Sequence, residues 1–577
     1  MDVLRIANCS GFYGDRMSAL REVVEGGPID VVTGDYLAEL TMLILFRARA
    51  KDPAKGYASS FLRQLEPVLG QIVDRKIAVV VNAGGLAPAA CARAVGDLAA
   101  TLGLAVTVAC VDGYDVLPLV GTTAMDHLDT GVPLGATQPL TANAYLGGWG
   151  IASALRAGAQ IVITGRVTDA SLVVGPAAAH FGWARDDWDR LAGAVAVGHV
   201  LECGTQATGG NYAFYREEVL DPLRLGFPIA ELAADGSAVI TKHPGTGGAV
   251  TVGTVTAQLL YEIGAPAYAG PDVVTRFDAL TLEQVGPDRV RLSGAVGEPP
   301  SGSLKVCLNL LGGFRNQMEF VLTGLDIEAK AALALAGLQA AMPVQPAVFE
   351  HTLVRLDRPD APTNEQAAAL LRVTVKDPSP APIGRGFSSA AVELALGSYP
   401  GFTLTSQPGP GTPYGVYWPA LIPAALVEHT VTHPDGRREL IAHTAPAPWP
   451  VGSPAAHLTA LAHPGPTRRL PLGTLIGARS GDKGGNATIG FWARDDAAAA
   501  WLLDWLTEAQ FRALLPEADT LVVQVYPLAN LRAVNVVVVG LLGEGVAASS
   551  RFDPQAKGLG EYLRSRLVEL PIALVDR

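Results

Sequence analysis

Short runs of branched apolar residues that end directly in glycine-rich polar clusters restrict the fold of this chain more than any other feature. Val3 to Ala7 leads into Cys9-Ser10-Gly11-Phe12-Tyr13-Gly14-Asp15, and Ile29 to Thr33 into Gly34-Asp35-Tyr36. Ile77 to Val81 leads into Asn82-Ala83-Gly84-Gly85, and Ile161 to Ile163 into Thr164-Gly165-Arg166-Val167-Thr168-Asp169. Arg16 to Glu25, Leu37 to Ala50, Ser59 to Val73, Pro88 to Leu102 and Tyr145 to Ala157 have helical spacing, and Ala105 to Val111 is a further strand. Strands apolar on both faces and separated by helices predict an α/β fold, with a mainly parallel sheet and flanking helices. In such a sheet the loops after the strands share one edge, where glycine lets backbone amides approach a ligand.

At 577 residues the chain is too long for one average core. From about residue 230 the strands shorten. Val250 to Val255 and Val290 to Leu292 read as strands of a second region, Thr323 to Met342 as an alanine-rich helix, and Leu370 to Val375 and Ala390 to Leu396 as strands. Prolines crowd residues 400–471, as in Pro408-Gly409-Pro410-Gly411 and Ala445 to Pro450. Strands then return at Leu472 to Ala478, Ala487 to Phe491, Thr520 to Tyr526 and Val534 to Gly540, with helices at Ala497 to Phe511 and Lys557 to Leu567. The expected organisation is an α/β domain over 1–229, a second α+β region packed on it over 230–455, a linker over 456–470, and a small α+β domain over 471–577.

A net charge of −12 without any dense Lys/Arg block argues against nucleic acid as a partner, while leaving room for local basic pockets that take a small anion. Cys9, Cys91, Cys110, Cys203 and Cys307 form no C-x-x-C pair and no disulfide framework. The first residues lack a basic leader with an apolar core, and no apolar stretch reads as a membrane span. A cytoplasmic, homo-oligomeric protein without membrane partners is expected.

The polar clusters supply the candidate site. Asp15 can take a proton or orient Arg16, and Cys9 is a candidate nucleophile whose rival reading is simple burial. Asp35 can balance a cation such as Arg166 or cap the next helix, and Asn82, Gly84 and Gly85 can bond to a ligand. Arg166 offers a planar fork for a carboxylate or phosphate, with Asp169 as its holder or as a base. Glu202 is a candidate acid or base. Cys203 is a candidate nucleophile with His199 four residues before it, and Gly209, Gly210 and Asn211 follow in an amide-rich turn. Lys242, His243, Gly247 and Gly248 make a candidate anion loop in which His243 titrates near neutrality. In the last domain Arg479 and Lys483 flank a glycine turn suited to an anion. No motif calls for a cofactor: there is no Walker loop, no G-x-G-x-x-G and no H-E-x-x-H. Asp126, His127 and Asp129, with Asp112 and Asp115 upstream, leave room for a divalent metal bound by scattered carboxylates.

Several of these clusters carry a resemblance. Cys9 to Arg16, Gly34-Asp35-Tyr36-Leu37-Ala38-Glu39, Asn82 to Gly85, Thr141-Ala142-Asn143-Ala144-Tyr145-Leu146-Gly147, Ile163 to Ser171, Gly209-Gly210-Asn211, Gly245 to Gly248 and Gln258-Leu259-Leu260-Tyr261-Glu262-Ile263 resemble the acyclic terpene utilisation protein AtuA family. Ala478 to Asn486, Arg532 to Asn535 and Gln555 to Leu559 are similar to the associated C-terminal domain of that family. The resemblance implies a ferredoxin-like fold for that domain, without an iron–sulfur cluster, in line with the lack of cysteines after Cys307. It further implies a place in the breakdown of acyclic terpenes and branched acyl-CoAs, and does not supply catalytic residues.

Together the residues and the resemblance predict a lyase or hydratase acting on a branched or terpenoid acyl-CoA or related carboxylate. Backbone donors and cations would stabilise its enolate, and Asp15, Asp169 or Glu202 would move the proton. An acyl-CoA thioester hydrolase is the second reading. A non-catalytic scaffold for an acyl-CoA carboxylase is the third.

Overall fold

The valine-rich runs of the sequence lie in the middle of an eleven-stranded sheet. Val3–Asn8, Val31–Gly34, Ala78–Val81, Ile161–Thr164 and Val108–Asp112 are neighbours in that order and all parallel. Val79, Val80, Val81, Ile161, Val162 and Ile163 are fully buried, because helices cover both faces of this block. Antiparallel strands extend it on both flanks. Pro228–Ala233, Ala238–Lys242, Arg289–Ser293 and Thr281–Gly286 continue from Val3–Asn8. Thr430–Thr432 and Arg438–Leu440 continue from Val108–Asp112.

The structure, a computed structural model, describes residues 3–446 and 465–576. Residues 447–464, which include most of the expected linker and the end of the stretch Ala445 to Pro450, lie outside the described residues. The chain forms two units. One comprises Met1–Asn309, Tyr417–Val546 and Gln555–Arg577, the other Leu310–Val416 and Ala547–Pro554. In the second unit the later part of the strand Ser303–Thr323 pairs with Ala368–Asp377, which pairs with Val348–Val354. The helices Ile327–Ala341 and Arg385–Glu393 close the core of this unit around Phe320, Leu371, Val373 and Phe387.

Two expected strands are helices instead. Val250 to Val255 is rich in β-branched residues, yet Thr251 caps the helix Val252–Glu262. The Thr251 hydroxyl accepts from the Thr254 amide, and the Thr254 hydroxyl accepts from the Thr251 amide. This reciprocal cap overrides strand propensity. Ala390 to Leu396 lies in the helix Arg385–Glu393 and the turn of 3-10 helix after it, because Phe387, Ala390, Ala391 and Leu394 bury one helical face.

Within the first unit, the small C-terminal domain is a four-stranded antiparallel sheet in the order Ile476–Lys483, Asn486–Ala493, Ala533–Val539, Val522–Leu528. Helices Asp496–Trp505, Glu508–Leu514 and Leu559–Ser565 cover one face. The other face receives the helix Val252–Glu262. A Cβ at Gly490 would lie 2.4 Å from the Leu260 Cβ, and one at Gly481 2.3 Å from the Tyr261 ring. Glycines therefore let the helix sit on the sheet backbone. Asn535 anchors the contact by donating to the carbonyls of Ile263, at 2.5 Å, and Gly264. Gly490→Val is expected to cost about 1–3 kcal/mol by forcing sheet and helix apart. Thermal unfolding of the variant checks this, and an unchanged melting temperature contradicts the packing described.

Candidate active site

The parallel strands deliver their loops to one edge of the sheet, and side chains tie the loops together. The Asn82 amide donates to Asp35 Oδ1 at 2.6 Å and accepts from the Tyr36 amide at 2.7 Å. Arg166, just past Ile161–Thr164, donates from Nη1 to the Leu37 carbonyl at 3.3 Å. Above this edge lies a cavity of about 170 Å3 whose charged lining comprises Glu39, Arg166, Asp169, Glu202, Glu262, Lys305 and Lys483. Distant segments of the chain thus meet in one place.

The Arg166 guanidinium, 3% exposed with its residue, lies 4.2 Å from the centre of the Tyr145 ring and 3.1 Å from Asp169 Oδ1. Glu39 begins the helix Glu39–Lys51, where the helix dipole favours an anion. Burial works to raise its carboxyl, but Lys305 and Arg166 outweigh burial and hold it below the usual range. Tyr145 donates to Glu39 Oε1 at 3.3 Å.

Glu202 and Glu262 stand at the opposite kind of position. Glu202 caps the C-terminal end of the helix Trp188–Leu201, and Glu262 is the last residue of Val252–Glu262. The negative ends of both helices add to the cost of a buried carboxylate there. Lys483, from the C-terminal domain, meets that cost for Glu262 at 2.8 Å. Burial pushes the Glu262 carboxyl up, but Lys483 and hydrogen bonds from Glu202, Cys203 and Lys483 outweigh it and hold it down to about 2. Burial, Glu262 and Asp169 push Glu202 well above the usual carboxylate range. Of the two facing carboxyls, Glu202 is the one pushed towards its protonated form and Glu262 the one held towards its ionised form. The charge balance agrees, since three cations face four carboxyls in this cavity.

His199 Nδ1 lies 3.3 Å from Glu202 Oε1, and its ring packs edge-on at 4.5 Å from that of Tyr268. Burial lowers its pKa to about 4, so the imidazole is neutral. His199, Glu202 and Glu262 each offer an atom within 4.8 Å of the others, a potential divalent-metal cluster. Among the described residues no other group of His, Cys, Asp and Glu donors converges in this way. Asp126, His127 and Asp129 make a surface turn in which His127 packs against Trp418 and accepts from the Asp129 amide.

Arg166, Asp169, Glu202 and Lys483 line the cavity, and Asp35 and Asn82 brace the loop beneath Arg166. The other sequence candidates lie elsewhere or serve the fold. Asp15 accepts from the amides of Gly11 and Arg16 and closes its own turn, while Arg16 pairs with Glu22 and the Leu225 carbonyl. Burial pushes the Cys9 thiol to about 12. Cys203 donates from Sγ to Glu262 Oε1 at 2.9 Å and its pKa lies far above the usual thiol value, chiefly through burial. Its partner is thus Glu262 and not His199. Lys242 meets Asp288 at 3.0 Å and the Thr246 carbonyl, and His243 bonds to the Val23 carbonyl. A Cβ at Gly247 would strike the Asp221 carbonyl, and one at Gly84 the Thr164 carbonyl, so close packing requires both glycines. Gly85, Gly209 and Gly248 have positive φ, and a Cβ at Gly210 would lie 2.9 Å from the Thr205 carbonyl. The Asn211 carbonyl, together with the Gln206 side chain, accepts from Arg479.

Glu39, Tyr145 and Glu262 fall within motifs that carried the resemblance, yet nothing local marked them as site residues. Lys305 and Tyr268 gave no sequence signal. An open cleft of about 580 Å3 elsewhere in this unit is less suggestive, because its Arg494 and Arg532 are engaged by Glu218 and Asp496.

Because Lys483 holds the folded-state Glu262 at about 2 against an ordinary 4.5, the pair stabilises the fold fully above pH 4.5, and that stability is lost as pH falls towards 2. Lys483 keeps 39% side-chain exposure, so solvent screens the pair. In chelator, Lys483→Met is expected to cost about 1–2 kcal/mol at pH 7, with the difference from wild type shrinking below pH 4.5. Denaturant unfolding across that range measures it.

Residues 4–433 match the model described as acyclic terpene utilisation family protein AtuA, and residues 470–569 match the AtuA ferredoxin-like domain. No curated protein and no solved structure matches the chain. No helix among the described residues is long and apolar enough to cross a membrane. The two models together span nearly the whole sequence, and this chain belongs to the acyclic terpene utilisation AtuA family, with the ferredoxin-like domain at its C-terminal end.

Proposed function

We propose that this chain is a lyase of the hydratase type, which removes or adds water at the β-carbon of a branched or terpenoid acyl-CoA or a related carboxylate. The observation that carries the reading is the buried pair of facing carboxyls, Glu202 and Glu262, set in a cavity with three cations. Such a reaction needs a base for the α-proton, an acid for the leaving hydroxyl, and positive charge for the enolate oxygen.

Glu262, kept ionised by Lys483, takes the α-proton. The electrons of that C–H bond form an enolate, whose oxygen lies by Arg166 or Lys305. The enolate collapses to the α,β double bond as the β-carbon–oxygen bond breaks, and Glu202 protonates the departing hydroxyl to water. Passing the proton from Glu262 back to Glu202 restores the starting state. The reverse sequence hydrates the double bond.

About 170 Å3 holds the reacting carbonyl and its neighbours, so the rest of the acyl chain and its carrier would extend beyond the cavity. The protonated Cys203 thiol beside an ionised carboxylate argues against thioester hydrolysis through cysteine. Convergence of the charges in a buried site argues against a scaffold role. The proposal keeps the cytoplasmic setting and homo-oligomeric state expected from the sequence.

The test incubates chelator-treated protein with branched 3-hydroxyacyl-CoAs and enoyl-CoAs in deuterated water, with products followed by mass spectrometry. Loss or gain of water with deuterium at the α-carbon is expected, and Glu202→Gln should slow turnover by about 100-fold or more. Absence of both turnover and exchange across the panel, or full activity in Glu202→Gln, would end this reading.

A further inference from the structure

We propose that His199, Glu202 and Glu262 form a binding site for a first-row divalent metal such as zinc, manganese or cobalt, and that Lys483 and the metal compete for Glu262. The inference concerns binding and does not rest on the hydratase reading.

All three residues are buried, and their ligand atoms lie within 4.8 Å of one another. One imidazole nitrogen and two carboxylate oxygens suit those metals and are too poor in oxygen for calcium. Two helix C-termini point the same way, since Trp188–Leu201 and Val252–Glu262 both end at these carboxylates and favour a cation there. An independent sign is Glu202 Oε2, a buried oxygen without a hydrogen-bond partner. A buried carboxylate oxygen with another carboxylate opposite calls for a proton or a metal ion between them. His199 Nε2 is likewise buried without a hydrogen-bond partner, so its ring has a nitrogen to offer.

Lys483 supplies one positive charge at 2.8 Å from Glu262 Oε2. A metal ion on that carboxylate would face the ammonium at contact distance, so the two exclude each other. The lysine has a way out. It ends the strand Ile476–Lys483 next to Gly484, at φ +66°, and Gly485, and its side chain is 39% exposed. Its flexible four-carbon stem, partly exposed, can swing the ammonium off Glu262. Metal entry would then exchange one cation for another, so the metal-bound and Lys483-bound forms are two states of one site.

The experiment uses the full-length protein, stripped with chelator and without substrate, titrated with zinc by calorimetry and with cobalt by absorption. Lys483→Met and Lys483→Gln should bind both metals about tenfold or more tightly than wild type, and His199→Ala should lose binding. In wild type, zinc should increase reductive methylation of Lys483 read by mass spectrometry, because the amine is released. Equal affinity in wild type and both Lys483 variants, or Lys483 labelling unmoved by bound zinc, overturns the competition. Failure of every form to bind either metal overturns the site. Because no substrate is present, these outcomes are separate from the turnover assay in chelator.

Discussion

The ion pair between Lys483 and Glu262 joins the ferredoxin-like domain to the helices of the large domain, and the electrostatics of the cavity depend on it. Glu262 ends a helix and is buried, two circumstances that each disfavour a carboxylate. A cation from another domain reverses the balance. Burial, and then the negative charge of Glu262, push the neighbouring Glu202 carboxyl well above its usual range. One contact across the interface thereby helps to push two otherwise similar carboxyls in opposite directions.

That contact requires close domain docking. A lysine side chain reaches only a few ångströms, so the sheet that carries Lys483 must sit almost directly on the helix Val252–Glu262. Gly481 and Gly490 make this approach sterically open, and Asn535 fixes it by bonding to the helix end. Packing and chemistry are therefore coupled: the absence of a side chain at Gly481 and Gly490 permits the cation to reach its partner. The second half of the cavity has a different logic. Glu39 begins a helix, where a carboxylate is favoured, and Lys305 and Arg166 keep it ionised.

Much of the fold was legible from local patterns. The runs Ile77 to Val81 and Ile161 to Ile163 are apolar without interruption and occupy the middle of the parallel block. Where pattern misled, a specific local interaction prevailed. The threonines of Val250 to Val255 cap a helix and do not extend a strand, and Ala390 to Leu396 follows a helical period that short apolar runs conceal. The site was legible in part. Arg166, Asp169, Glu202 and Lys483 stood out because each sits in a polar cluster beside glycines. Glu39, Glu262 and Lys305 did not, since each occurs within an ordinary helix or strand and becomes distinctive only through its neighbours in space.

By itself the sequence determined the alternation of buried strands and helices, the family, and the loops that gather at one edge of the sheet. These follow from periodicity and turn chemistry, which act over a few residues. Only the tertiary structure decided that residues 39, 166, 202, 262, 305 and 483 surround one small cavity, and that Lys242 and His243 serve structural contacts. The reason is that electrostatic energy depends on separation and burial in three dimensions, so Glu39 and Glu262 are held down against burial by Lys305 and Lys483, each more than 200 positions away in the chain.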